Sequence, residues 1–116
     1  EYQRVETTRD ALLEGDVARV GAMMDASHES CARDFGISCP ELEKLVGIAR
    51  KAGALGARLT GAGFGGCTVN LVAREHVEAF EKEVRNQYYD RYLAGRSLDS
   101  ATAMFVALPS GGAGYL

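Results

Sequence analysis

The residues with the clearest chemical potential in this chain are glycines. The stretch "GARLTGAGFGGCTVNLV", residues 56–72, carries five of the chain's 14 glycines, four of them within residues 61–66. Glycine loses more conformational freedom on folding than any other residue, so a cluster marks a backbone shape that other residues resist. That shape is a tight turn, or a close approach of backbone to a ligand or to another segment. Successive backbone N–H groups in a loop of this kind can form an anion-favouring nest. By letter pattern Gly61, Gly63 and Gly66 satisfy G-x-G-x-x-G. A dinucleotide site needs a strand before that motif and a helix after it, so that the pyrophosphate meets the helix N-terminus. Here "CTVNLVA" follows and reads as strand, which removes the dinucleotide reading. A protein-kinase glycine loop does lie between strands, and "DFG" occurs at residues 34–36. In that family the glycine loop precedes DFG and a lysine follows it, whereas here the order is reversed and "LVARE" offers Arg74. A plain hairpin needs only a short loop with a glycine or two. The apolar Ala62 and Phe64 between the glycines predict instead a loop pressed against something.

Few other residues invite chemistry. Cys31, Cys39 and Cys67 form no CxxC pair and suit reduced thiols. His28 and His76 lie far apart without metal-ligand spacing, so no metal site is expected. His28 falls on an apolar helical stripe and is expected to be a packed, hydrogen-bonded histidine or one at the domain interface. Cys67 is expected to be a buried structural thiol. Glu75, Glu78, Glu81 and Glu83 read as a solvated helix face, and no carboxylate pair stands out as an acid/base couple.

The elements that position the loop follow from hydrophobic spacing. Residues 4–13 read as a short helix with Val5, Thr8 and Leu12 on one side, ended by Gly15. Asp16 is placed to cap a second helix carrying Val17, Val20, Met24, His28, Cys31 and Phe35, closed by Gly36. "SCPE" offers a capping box from Ser38 to Glu41, with Pro40 in the first turn. Leu42, Leu45, Val46 and Ala49 give a third helix its stripe, and Gly53 stops it. The pattern then shifts to two short strands, 55–60 and 67–73, flanking the glycine loop. A helix over 74–93, a strand over 102–108, a turn at "PSGGAG" and the start of a last strand at 115–116 complete the series. Helices about 1–53 followed by strand–loop–strand–helix–strand about 54–116 imply a single α+β domain.

Composition supports that reading. The 116 residues are 47% hydrophobic with a net charge of −3, enough to build one core. Basic residues are scattered among acids, so no nucleic-acid face is expected. No apolar run approaches a membrane span, and the opening residues do not read as a signal peptide. The chain opens within a helical pattern and without Met, which leads us to expect a piece of a longer protein.

The glycine stretch resembles the third conserved motif of the GHMP sugar and metabolite kinases, in its galactokinase form. "SHESCARDFGISCPELEKLV", residues 27–46, is similar to the helical segment that precedes this motif, and "PSGGAGYL" to the end of such chains. Cys31 and Asn70 depart mildly from the pattern. The resemblance implies a ferredoxin-like GHMP kinase C-terminal domain with added N-terminal helices. It implies a cytoplasmic parent enzyme that phosphorylates galactose at its anomeric hydroxyl with ATP and Mg²⁺. The family's sugar-binding motif, its Ser-rich phosphate loop, its catalytic Asp and that residue's Arg partner are not on this sequence. The fragment alone is therefore expected to be inactive, with no catalytic residue or metal ligand and no cofactor bound. Its expected partner is the N-terminal domain of the same protein. The resemblance places Gly61, Ala62, Gly63, Phe64, Gly65 and Gly66 at the domain cleft, supporting the phosphate loop. A related kinase for another sugar, or an inactive sugar sensor that binds a protein partner, remains an alternative at this level.

Overall fold

The computed structural model describes residues 1–94 and 103–111. Helix α1 (Tyr2–Glu14) ends at Gly15, whose φ of 73° lets Gly15 and Asp16 donate back to Leu12 and Ala11. Helix α2 (Val17–Arg33) begins where expected, the Asp16 carboxylate accepting from the Arg19 N–H at 3.0 Å. It stops at Arg33, so Phe35 lies beyond it and is exposed rather than part of its stripe. Helix α3 (Pro40–Lys51) is capped at Cys39, not at Ser38, and without a side-chain bond. Pro40 fixes the start: it suits the first helical position, so the capping box counted from Ser38 is one residue out of step.

Strands β1 (Gly56–Thr60) and β2 (Cys67–Leu71) pair antiparallel, from Gly56 opposite Leu71 to Thr60 opposite Cys67. The expected helix after β2 is made of three pieces. A 3₁₀ turn at Arg74–His76 leads into α4 (Val77–Val84), and a π-helical segment (Arg85–Tyr92) follows. Tyr88 within this segment and Leu93 just after it both reach the core. Burial beside the rings of Tyr89 and Tyr92 pushes the Tyr88 phenol up to about 12.

The core lies between α3, α4 and one face of the hairpin. Leu45, Val46 and Ala49 meet Phe80, Val84, Tyr88 and Leu93, with Ala57 contributed by β1. The sheet of the described residues has these two strands and no third. The strand expected over 102–108 is not formed where it is described: residues 104–111 make no strand pairing. Phe105, Val106 and Leu108 stand exposed. An apolar run becomes a strand only against a partner edge, and this stretch lies along neither strand. It is attached by Met104 on the core and by the Tyr89 hydroxyl, which donates to the Ala103 carbonyl at 2.9 Å. The last expected strand, at 115–116, lies outside the described residues.

At Gly21 and Gly56 helix α2 meets the start of β1 backbone to backbone. A Cβ on Gly21 would overlap the Leu55 carbonyl, and one on Gly56 would strike the Gly21 backbone. Gly21→Ala is thus expected to cost about 1–3 kcal/mol or more through overpacking. Gly47→Ala, in open space on α3, is expected to gain about 0.5–1 kcal/mol. Urea unfolding of both variants checks the contrast, and equal behaviour of the two would refute the contact.

Candidate functional site

The question raised by the glycines has a backbone answer. Between Thr60 and Cys67 the chain takes positive φ at Gly61 (78°), Gly63 (82°), Phe64 (59°), Gly65 (133°) and Gly66 (87°). Only glycine visits this region at little cost. Phe64 does so as the only non-glycine among the described residues. A backbone in a left-handed run turns away from both strands and opens a bowl of about 570 Å³, lined by residues 60–67.

Two kinds of constraint act within the run. Gly61, Gly65 and Gly66 face open space, so only their φ angles demand glycine. At Gly63 a Cβ would also overlap the carbonyl of Ile37, in the connection between α2 and α3. That same carbonyl accepts a hydrogen bond from the Phe64 N–H at 2.7 Å. The loop is therefore pressed against something, as its apolar letters suggest, and that something is its own domain. The Phe64 ring takes no part in that contact and is 72% exposed. No side chain lining the bowl is charged. The hydrogen-bond donors it presents are mainly backbone N–H groups, and those of Gly63, Gly65 and Gly66 have no tertiary partner among the described residues.

The root of the loop is held from α2. His28 is 1% exposed, and its Nδ1 accepts from the Leu59 N–H at 3.2 Å. The proton of the ring therefore sits on Nε2, which lies 3.1 Å from Glu43 Oε1. The packed, hydrogen-bonded role expected of His28 is what the structure has. Two residues earlier on β1, the Asp25 carboxylate accepts from the Ala57 N–H at 2.9 Å and from Arg50 Nε at 2.9 Å. Cys67 differs from expectation. It is exposed, and the register sets it opposite Thr60 at the loop end of the ladder. Among the described residues no three His, Cys, Asp or Glu come together. No helix there is long and apolar enough to cross a membrane.

Sequence reasoning missed Ile37, Asp25, Arg50 and Glu43, whose roles depend on contacts far apart in the chain. The signal for the α2–β1 contact was present as an isolated glycine, Gly21, inside a helical pattern.

Comparison with known proteins places this arrangement in a family. The profile of the GHMP kinases C-terminal region matches residues 8–90. The chain belongs to the GHMP kinases. This GHMP kinase domain is 38% identical over 100 residues to a galactokinase of Dictyostelium discoideum, covering 84% of the chain and 20% of that protein. The crystal structure of Lactococcus lactis galactokinase complexed with galactose superposes with a TM-score of 0.71 at 40% identity, over 78% of this chain and 24% of that one. That of L. major mevalonate kinase in complex with R-mevalonate gives 0.69 at 37% identity, over 74% and 26%. The chain thus spans between a fifth and about a quarter of the relatives it matches.

The two constraints on the loop are separable by substitution. Gly61→Ala, at nearly the same φ as Gly63 but facing open space, should cost about 1–2 kcal/mol, the penalty of a side chain in the left-handed region. Gly63→Ala should cost more, since the collision with Ile37 adds to the same penalty. Equal losses in chemical unfolding would mean that the Ile37 contact yields freely.

Proposed function

We propose that this chain is the C-terminal domain of a cytoplasmic galactokinase. The parent enzyme transfers the γ-phosphoryl group of ATP to the anomeric hydroxyl of galactose. The observation that carries the reading is the left-handed glycine loop in a chain about 40% identical to a galactokinase seen with galactose. The loop forms one wall of the active-site cleft, and the rest of the polypeptide supplies the other. The exposed Phe64 supports this, because an aromatic ring held in water at a loop tip suits a surface that is covered.

The residues present fit one part of the chemistry. Backbone N–H groups in a positive-φ run suit a phosphate anion or the loop that carries one. They do not suit Mg²⁺, since no carboxylate lines the bowl. Mg²⁺ supplies charge neutralisation in phosphoryl transfer, and positioning supplies most of the remainder. The metal ligands, the groups that recognise the sugar and the group that handles the hydroxyl proton therefore belong to the N-terminal portion. The contribution of this domain is a rigid wall of correct shape.

Purified full-length protein is expected to phosphorylate galactose with ATP and Mg²⁺, while residues 1–116 alone show no turnover. In the full-length protein Gly63→Val displaces the wall. A shift of about 1 Å costs on the order of a hundredfold in kcat/KM, with circular dichroism close to native. Full activity of that variant would reduce the glycines to a turn without catalytic consequence.

A further inference from the structure

The loop is anchored at two points, and both lead to one pair of side chains. Its root leaves β1 one residue after Leu59, whose N–H is held by His28 Nδ1. Its tip rests on the Ile37 carbonyl through the Phe64 N–H. Ile37 is followed by Ser38, whose hydroxyl donates to Glu43 Oε1. The same oxygen lies 3.1 Å from His28 Nε2. Glu43 is half-exposed, on the first turn of α3, while its imidazole partner is fully buried. A single carboxylate oxygen thus joins the strand that starts the loop to the connection that supports its tip. The other end of that connection is fixed by α2, the Ile37 N–H donating to the Cys31 carbonyl at 3.1 Å.

We propose that Glu43, oriented by His28, is a positioning residue for the glycine loop. Its side-chain partners among the described residues are Ser38 and His28, not residues of the loop. It fixes the height of the Ile37 carbonyl, and that carbonyl sets where Gly63 and Phe64 lie. The proposal rests, for its catalytic consequence, on the kinase reading above. Its structural consequence does not. An ordinary role for an acidic residue in a first turn is charge against the helix dipole. The two roles respond differently to amide replacement. Glutamine keeps an oxygen that accepts from both Ser38 and His28 but carries no charge.

The test uses the full-length protein and three variants, Glu43→Ala, Glu43→Gln and Ser38→Ala. Two readouts are taken: amide exchange of a peptide spanning residues 61–66, and kcat/KM for galactose phosphorylation. Glu43→Ala is expected to speed loop exchange and to lower kcat/KM about tenfold or more. Glu43→Gln should restore both. Ser38→Ala, which leaves His28 and its partner in place, should speed loop exchange by a smaller factor. Loop exchange in Glu43→Ala equal to wild type overturns the proposal, as does a Glu43→Gln variant as impaired as Glu43→Ala. If Glu43→Ala does not fold, unchanged loop exchange in Ser38→Ala overturns it. A wild-type protein that fails to phosphorylate galactose refutes the kinase reading alone, and the exchange data still decide the role of Glu43.

Discussion

Everything in this domain depends on how the outer edge of β1 is closed. An edge strand leaves a row of N–H and C=O groups that must find partners. Here those groups face side chains instead of a further strand. The Ala57 N–H goes to Asp25 and the Ala57 carbonyl to Arg50, while the Leu59 N–H goes to His28 and the Leu59 carbonyl to Arg58. Asp25 and His28 stand three residues apart on α2, the spacing that puts both on one helical face. The strand presents its outward groups at every second residue, and the two side chains reach successive outward N–H groups, those of Ala57 and Leu59. The bare backbone contact of Gly21 with Gly56 lets the helix come close enough for these short reaches. Leaving one of these buried N–H groups unpaired costs about 1–3 kcal/mol, so the seating of α2 is specified as well as stabilised.

That seating decides the shape of the loop. With β1 fixed along α2, the hairpin has one rigid side, and the six residues 61–66 must return the chain from Thr60 to Cys67. They do so through a left-handed run braced on the connection that follows α2 itself. The glycine loop is therefore a preformed feature of the domain. Pre-organisation of this kind suits phosphoryl transfer, where positioning and charge stabilisation supply the catalysis and a wall that moves supplies little. The same logic explains an uncharged lining. The loop offers backbone dipoles, which need no counterion.

Much of this was legible in the sequence, for identifiable reasons. Local signals are self-contained: Gly15 ends a helix, Asp16 caps the next, Pro40 starts a third, and each behaves as its backbone chemistry requires. The glycine run declared an unusual backbone because glycine takes those φ angles at little cost. What was not legible depends on partners remote in sequence. Ile37 looks like any residue of a connecting segment, yet it carries the contact that fixes Gly63. The run around Phe105 has the composition of a buried strand, but composition does not report whether a partner edge lies beside it. Cys67 reads as apolar and buried, and only the register shows that it stands at the loop end of the ladder. The capping box at Ser38 failed by a single residue, because proline's fixed φ outweighs a side-chain bond in deciding where a helix begins.

The central claim is that side chains of α2 close the edge of β1 in the way a neighbouring strand would. Residue-resolved amide hydrogen exchange on the folded protein tests this most directly. The Ala57 and Leu59 amides should exchange as slowly as those of the slowest core amides of α3, opening only when the domain unfolds. If both exchange at the rates of solvent-facing edge amides while the α3 core remains protected, the edge is open, and the account of how this domain shapes its loop is wrong.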